Sequence, residues 1–125
     1  MSAPRPLGVG DVVTARFPPQ TPGGHEQEGH RPAIVIGVPD LAGPPRFPLY
    51  LVVPMTSDHG QAWATAAPAL YPRFPAGVAR LRSPSIALLD QARAIDLARI
   101  ERRRGTLTPD ELEPVRAGLR AMLGL

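Results

Sequence analysis

The stretch from Gly24 to Pro32 concentrates side chains that transfer protons or bind phosphate. It reads G-H-E-Q-E-G-H-R-P and contains two histidines, two glutamates and one arginine. Imidazoles and carboxylates accept protons, and a guanidinium can donate two hydrogen bonds to a phosphate. The apolar run Ala33–Ile36 follows at once, so we expect a buried strand to hold the end of this loop. A rigid strand that holds the end of a mobile loop is a good place for chemistry.

A metal site is the alternative use of the same loop. His25, Glu26, Glu28 and His30 are of ligand types, but they share one Pro/Gly-bounded loop without a recognised ligand spacing such as HExxH. We therefore expect no functional metal and no other cofactor. The chain has no cysteine, which excludes a disulfide scaffold, a thiolate zinc site and a cysteine nucleophile.

Composition indicates one small domain over residues 1–125, with 43% apolar residues and many turns from 17 prolines and 12 glycines. Residues 1–9 are Pro/Gly-rich and predicted to fray. All 14 basic residues are arginine and the net charge is +3, which is compatible with a nucleic-acid partner without requiring one. The sequence shows no signal peptide and no apolar run of the ~20 residues that span a bilayer, so a cytoplasmic protein is predicted.

Hydrophobic patterning predicts several short strands followed by one helix, an α+β fold with a compact sheet or small barrel. The C-terminal helix begins at a capping box, Thr108 to Glu111, and Pro114 predicts a kink or restart within it. A short helical segment is predicted over Leu97–Arg104. The predicted strands are Asp11–Phe17, Arg31–Val38, Leu49–Val53 closed by Pro54, Ala64–Ala67, Leu70–Phe74 and Ser85–Leu89, the last continuing as Ala92–Asp96.

The order and spacing of several blocks resemble one family, the MazF/PemK (Kid) toxins, which are endoribonucleases of toxin–antitoxin pairs. The loop resembles the family pattern G-[SH]-E-Q-x-G-x-R-P, and the other blocks are Gly10–Val13, Val53–Ser57, Ser85–Asp96 and Gly105–Leu107. The resemblance implies an SH3-like β-barrel with a C-terminal α-helix. The chain departs from the family pattern in two places. Residues 58–76 have no clear counterpart. Leu88 occupies the position at which some PemK-type relatives have an arginine with a catalytic role.

The resemblance also implies the site. Alone, Arg31 fits an ordinary strand-end ion pair best, but its R-P context favours stabilisation of the reacting phosphate, with Thr56 donating a hydroxyl hydrogen bond. Glu26 and His25 are equal candidates for the base. Trp63 and Tyr71 could stack on bases, whereas the run Arg102–Arg104 fits a solvated face better. The RNA-binding candidates are Gln27, His30, Ser57, Arg16, Arg73 and Arg82.

The activity implied is metal-independent, sequence-specific cleavage of single-stranded RNA by 2′-hydroxyl attack, giving a 2′,3′-cyclic phosphate and a 5′-hydroxyl. The implied partners are mRNA, a second copy in a homodimer, and a MazE-like antitoxin with an acidic, disordered tail. Two other readings stay open, since one fold can serve different functions. One is a non-catalytic toxin like CcdB, which uses the same barrel to bind DNA gyrase. The other is a degenerate RNA-binding module.

Overall fold

A computed structural model describes residues 6–125 of the protein. Seven strands and two helices follow one another, with short 3-10 turns between some of them. The strands are β1 Asp11–Phe17, β2 Gly29–Gly37, β3 Leu49–Ser57, β4 Arg73–Phe74, β5 Ser85–Ala87, β6 Arg93–Asp96 and β7 Ile100–Thr106, and the helices are α1 Ala62–Ala66 and α2 Pro109–Leu123. The predicted α+β fold is confirmed.

Strand β3 organises the sheet, whose order is β4-β5-β3-β2-β1-β7 with every pair antiparallel. The other edge of β3 pairs first with β6, Val52 opposite Arg93, and then with β5, Met55 opposite Ala87. Pro54 lies where the partner changes, so its missing N–H leaves no ladder bond unmade there. The prediction that Pro54 closes the strand is therefore wrong, and β3 runs on to Ser57.

The centre of strand β2 is buried on both faces, as its continuous apolar run predicted. Ile34 faces one core cluster, which also contains Val115 of α2, and Val35 faces a second cluster around Phe17. The side chains of Ile34 and Val35 are both fully shielded from solvent. Alternation along β2 thus supports two layers, and the sheet is a rigid base for the residues at the strand ends.

Several local predictions are wrong for identifiable reasons. Ala64–Ala67 is not a strand, because the alanine-rich segment forms helix α1 instead. Leu70–Phe74 retains only the two residues of β4, after a turn in which Tyr71 N donates to the Ala67 carbonyl. Ser85–Leu89 ends at Ala87, and a 3-10 turn then leads into β6 on a different part of β3.

The segment Leu97–Arg104 is helical only in its 3-10 turn Leu97–Arg99, where the Asp96 carboxylate accepts a hydrogen bond from Ala98 N at 2.9 Å. The rest joins β7, which pairs with β1 through two register shifts. This strand satisfies the outer backbone edge of β1, and that tertiary pairing overrides the local helical pattern.

Helix α2 begins at Thr108 with the predicted capping box: Glu111 N donates to Thr108 Oγ1 at 3.2 Å, and Thr108 N donates to Glu111 Oε1 at 2.8 Å. The helix continues without a restart through Pro114, although Pro114 lies in the second turn and lacks the N–H that would donate to the Asp110 carbonyl. Gly118 allows close packing, because a Cβ there would collide with the Ala69 carbonyl oxygen. None of the described helices is long and apolar enough to cross a membrane.

The predicted fraying of residues 1–9 covers two different parts of the chain. Residues 1–5 lie outside the described residues. Residues 6–9 contact the sheet: Gly8 N donates to Asp11 Oδ2 at 2.8 Å, and Leu7 and Val9 pack against the two core clusters. The segment entering β1 is therefore anchored from residue 6 onwards.

Candidate active site

The ends of β2 and β3 enclose a cavity of about 200 Å³, here termed the cationic pocket. In the β2–β3 ladder Ala33 lies opposite Pro54, and this register carries Arg31 and Thr56 to the same end of the sheet. The chain following α1 supplies the other wall. The lining residues are His30, Arg31, Pro32, Met55, Thr56, Ser57, Leu81, Arg82, Ser83, Ser85 and Arg104.

Arg31 is oriented by its own loop. Its Nε donates to the Glu28 carbonyl at 3.0 Å, and its two terminal nitrogens make no hydrogen bond to any residue in the described range 6–125. Arg31 also lines a neighbouring groove of about 570 Å³ together with Arg16, His30 and Arg99. The guanidinium fork is thus held from behind and free to bind a phosphate in front.

The electrostatics of the cationic pocket favour an anion. None of the described residues lining it is acidic. Burial lowers the pKa of Arg104, and the positive charges of Arg102 and Arg82 lower it further. Arg104 is held by a hydrogen bond from Nη1 to Thr14 Oγ1 at 3.3 Å. Guanidinium groups stay charged at neutral pH, so a bound phosphate would reduce the repulsion between these neighbouring positive charges.

Hydroxyl groups complete the pocket. Thr56 and Ser57 end β3, and neither side chain hydrogen-bonds to another described residue, so both can donate to a bound phosphate oxygen. Ser85 is different, since it is buried and its Oγ already donates to the Ser83 carbonyl at 2.9 Å. Arg31, Thr56 and Ser57 are therefore brought together as the family resemblance implied.

His30 also lines this pocket, and its Nδ1 contacts the Glu101 carboxylate on β7. The imidazole is thereby oriented by a second element, and histidine is the side chain best suited to proton transfer near neutral pH. A carboxylate on one ring nitrogen fixes which nitrogen faces the reaction.

His25 and Glu26 lie elsewhere. Both are exposed, and neither lines a cavity containing Arg31 or Thr56. The carboxylate of Glu26 folds back onto Gly24, where a Cβ would collide with it. The structure therefore does not bring the two predicted base candidates to the phosphate pocket, and their role stays a prediction.

The loop that carries His25 and Glu26 is held by side chains that are distant in sequence. The Gln91 side-chain oxygen accepts from Gln27 N at 2.6 Å, and its nitrogen donates to the His25 carbonyl at 3.2 Å. Arg93 donates to the Gln27 carbonyl and stacks on the Phe17 ring, with its Cζ 4.3 Å from the centroid. Burial lowers the pKa of Arg93, an effect that the negative charges of Glu26 and Glu28 oppose.

A second cavity of about 190 Å³, here termed the aromatic pocket, adjoins the cationic pocket through Thr56, which lines both. Gln27, a predicted RNA contact, belongs to this pocket rather than to the cationic one. Its other lining residues are Gln61, Trp63, Tyr71, Leu88, Asp90 and Gln91. Leu88, the departure from the PemK pattern, therefore forms part of an apolar wall here.

The predicted RNA-binding arginines differ in their surroundings. Arg82 lines the cationic pocket and Arg16 the neighbouring groove. Arg73 lines none of these three cavities, because it pairs with Asp58 at 3.1 Å and donates to Thr65 Oγ1 at 2.9 Å. The contacts of Arg73 therefore stabilise the segment that contains α1.

Sequence reasoning missed Glu101, Gln91 and Arg93, and it assigned Arg104 to a solvated face. The wrong helical prediction over Leu97–Arg104 concealed the place of Glu101 and Arg104, which both lie on strand β7. Gln91 and Arg93 lie in a block that carried the family resemblance, but nothing local indicates a bond to the loop. Within residues 6–125, no three histidine or acidic side chains converge as a metal site requires.

Comparisons with known proteins agree with this geometry. A family model for PemK-like, MazF-like toxins of type II toxin–antitoxin systems matches residues 9–123. The endoribonuclease toxin MazF of Escherichia coli is 30% identical over 117 residues, 93% of each chain. A crystal structure of MazF from Deinococcus radiodurans superimposes with a TM-score of 0.70 at 27% identity, covering 95% of this chain and 97% of that one.

A MazE–MazF structure from the same organism is also similar, with a TM-score of 0.67 at 28% identity over 95% of this chain and 96% of that one. Sequence and fold thus agree over almost the full length. The chain belongs to the PemK-like, MazF-like toxins of type II toxin–antitoxin systems.

Proposed function

We propose that this chain is an endoribonuclease toxin that cleaves single-stranded RNA, with mRNA as its substrate, by attack of a 2′-hydroxyl on the adjacent phosphate. The observation that carries the proposal is the shared pocket of Arg31 and Thr56, lined by two further arginines and no acidic residue among those described. Such a pocket binds the phosphate and stabilises the charge of its pentacovalent state. Chain similarity to an endoribonuclease toxin supports the same activity.

The reaction needs one proton removed and one supplied. The 2′-oxygen forms a bond to phosphorus as its proton passes to a base, and the bond from phosphorus to the 5′-oxygen breaks as that oxygen gains a proton. The products are a 2′,3′-cyclic phosphate and a 5′-hydroxyl, with no net charge change. Arg31 and Thr56 donate hydrogen bonds to the non-bridging oxygens, a role that needs no metal ion.

For the proton transfers, Glu26 and His25 stay candidates by family resemblance. We add His30 as a third, because it lines the cationic pocket beside Arg31 whereas the other two are exposed outside it. The contact of its Nδ1 with the Glu101 carboxylate supports the assignment, since a base oriented by a carboxylate is a recurring arrangement in nucleophilic catalysis. A pH–rate profile of His30→Gln beside those of His25→Gln and Glu26→Gln tests the three candidates together.

The same proposal includes the partners and the compartment. A related toxin is solved with MazE, and we propose a MazE-like antitoxin whose acidic, disordered tail is complementary to the cationic pocket. We also propose a homodimer. Its support is an apolar cavity of about 420 Å³ between the sheet and α2, bordered by the exposed side chains Leu51, Met122, Leu123 and Leu125. The site of action is the cytoplasm, where mRNA is translated.

The deciding experiment incubates a long RNA of mixed sequence, in EDTA, with wild type, Arg31→Ala and the matched control Arg46→Ala. Arg46 is an exposed loop arginine whose Cζ lies 5.0 Å from the Phe47 ring centroid, and it lines none of the three cavities. We expect discrete cuts with cyclic-phosphate ends from wild type and control, and none from Arg31→Ala.

Fragment ends are mapped by sequencing and mass spectrometry, and folding of each protein is checked by circular dichroism. RNA left intact by folded wild type would contradict the metal-independent activity. Addition of divalent ions and then a gyrase-inhibition assay with the same protein would separate a metal-dependent nuclease from the gyrase-binding alternative.

A further inference from the structure

The aromatic pocket is built to hold a flat ring. Trp63 and Tyr71 meet edge to face, with ring centroids 4.9 Å apart and planes inclined by 82°. Tyr71 is fixed by its hydroxyl, which donates to Asp90 Oδ2 at 2.6 Å, and this bond raises the pKa of Tyr71. Trp63 remains 47% exposed, so part of its indole surface is open to a partner. Two perpendicular rings let a planar group stack on one and rest its edge on the other.

The segment carrying Trp63 is rigid although it lies between strands. Arg73 of β4 donates to the Gln61 carbonyl at 3.2 Å and to Thr65 Oγ1 at 2.9 Å, and it pairs with Asp58. Gln61 Nε2 donates to the Ser57 carbonyl at 3.0 Å, which connects α1 to the end of β3. The stacking ring is therefore held at a defined distance from Thr56 and the cationic pocket.

One wall of the pocket carries an unused hydrogen-bonding group. The Gln27 side-chain oxygen is shielded from solvent and has no partner among residues 6–125, whereas its backbone is fastened by Gln91 and Arg93. An amide oxygen without a partner is costly, and a rotation of the half-buried Gln27 side chain toward the pocket would let a bound base satisfy it. Asp90 adds a carboxylate oxygen, Oδ1, that accepts no bond from the described residues.

Thr56 fixes where this pocket lies along a bound RNA. It lines both cavities, so a nucleotide whose phosphate occupies the cationic pocket has its base, or that of its direct neighbour, at the aromatic pocket. The volume of about 190 Å³ is smaller than the roughly 300 Å³ at which pockets for drug-sized ligands begin, and it suits a single ring system.

We propose that the aromatic pocket binds one nucleobase next to the cleaved phosphate and selects a base with an exocyclic amino group over uracil. Trp63 stacks on the ring, while the Gln27 amide and the Asp90 carboxylate accept hydrogen bonds from the amino group. Uracil has a carbonyl oxygen on each side of its single N–H, and these two oxygens would repel the Asp90 carboxylate. This inference rests on the proposed ribonuclease function and assigns its base-specific contact.

The test maps cleavage sites across a random-sequence RNA pool for wild type, Trp63→Ala, Trp63→Phe and Gln27→Met. Phe47→Ala is the matched control, because Phe47 is an aromatic residue of similar exposure, 54%, outside the pocket. We expect wild type to require an amino-bearing base at one position beside the cut. Trp63→Ala should lower kcat/KM by about 5- to 150-fold, mainly through KM, and Trp63→Phe should restore most of it.

Gln27→Met keeps the shape of the side chain and removes its hydrogen bonds, so we expect cleavage to continue with a flattened preference at that position. The inference fails if wild type prefers uracil there, or if folded Trp63→Ala and Gln27→Met cleave with unchanged rate and preference. In either case the ribonuclease function itself stands. If wild type cleaves nothing, the proposed function fails and this inference fails with it.

Discussion

The cationic pocket and the aromatic pocket share Thr56 but differ in almost every other respect. The cationic pocket presents three guanidinium groups and free hydroxyls to the phosphate, a group that every nucleotide has. The aromatic pocket presents two aromatic rings, three glutamine side chains and one carboxylate to the base, which differs between nucleotides. Contacts to phosphate position a nucleic acid, and contacts to bases specify it. The difference teaches that, under the proposed function, catalysis and sequence choice would occupy neighbouring but separable parts of this sheet edge.

Arg31→Lys probes the catalytic side and carries the largest effect. The substitution keeps the charge and removes the planar fork, and we expect kcat to fall by about 100-fold or more, as when one oxyanion-stabilising donor is lost. The cleavage motif should not change, since the aromatic pocket is intact. Single-turnover rates on one defined RNA measure the effect, with Arg46→Lys as control. A near-wild-type rate would mean that a point charge suffices and that the fork held by Glu28 plays no part.

Thr56→Val probes the shared residue. Valine keeps the shape and removes the hydroxyl, and we expect kcat/KM to fall by about 10- to 100-fold, the size of a lost hydrogen bond to a charged group. Thr56→Ser retains the donor and should stay within a few-fold of wild type. If valine stays near wild type and serine fails, the methyl packing of Thr56 and not its hydroxyl matters, and the link between the pockets is purely steric.

The sequence predicts those features of the structure that are encoded within a few neighbouring residues. Strand β1, the buried run of β2 and the capping box of α2 are encoded within a few residues, and each prediction is confirmed. Arg31 and Thr56 were paired only through the family resemblance. Their meeting depends on the β2–β3 register, which no short pattern reveals.

The failures concern residues whose partners are distant in sequence. Arg104 looked like one member of a solvated arginine run, yet the pairing of β7 with β1 brings it into the cationic pocket. Pro54 looked like a strand end because its compensation, a change of partner from β6 to β5, is a tertiary event. His25 and Glu26 illustrate the converse, since their motif is clear and their place in space is not beside Arg31.

Arg82→Ala sharpens the comparison through salt dependence. Arg82 lines the cationic pocket and is exposed, so its removal should weaken binding equally for all sequences. For a single strand, we expect the slope of log affinity against log salt to become shallower by about 0.7. Binding of a non-cleavable oligonucleotide, with hydrogen in place of the attacking 2′-hydroxyl, measures this between low and moderate salt. A sequence-dependent loss would show that Arg82 contacts a base.

Gln91→Ala carries the smallest effect and tests whether the two pockets need a fixed loop between them. The side chain of Gln91 bonds Gln27 N at 2.6 Å and the His25 carbonyl at 3.2 Å, and alanine removes both bonds. Arg93 still holds the Gln27 carbonyl, so we expect the loop to loosen without unfolding and kcat/KM to fall by about threefold to tenfold, one ordinary hydrogen bond.

Hydrogen exchange of residues 24–28 should quicken in Gln91→Ala while that of β2 stays unchanged, because the core on both faces of the sheet is untouched. Gln91→Glu is the matched variant, since it keeps the acceptor for Gln27 N and loses the donor to the His25 carbonyl. If the looser loop leaves base preference intact, Gln27 does not read the base. If preference flattens while the rate on the best site holds, the loop serves selection and the cationic pocket alone serves catalysis.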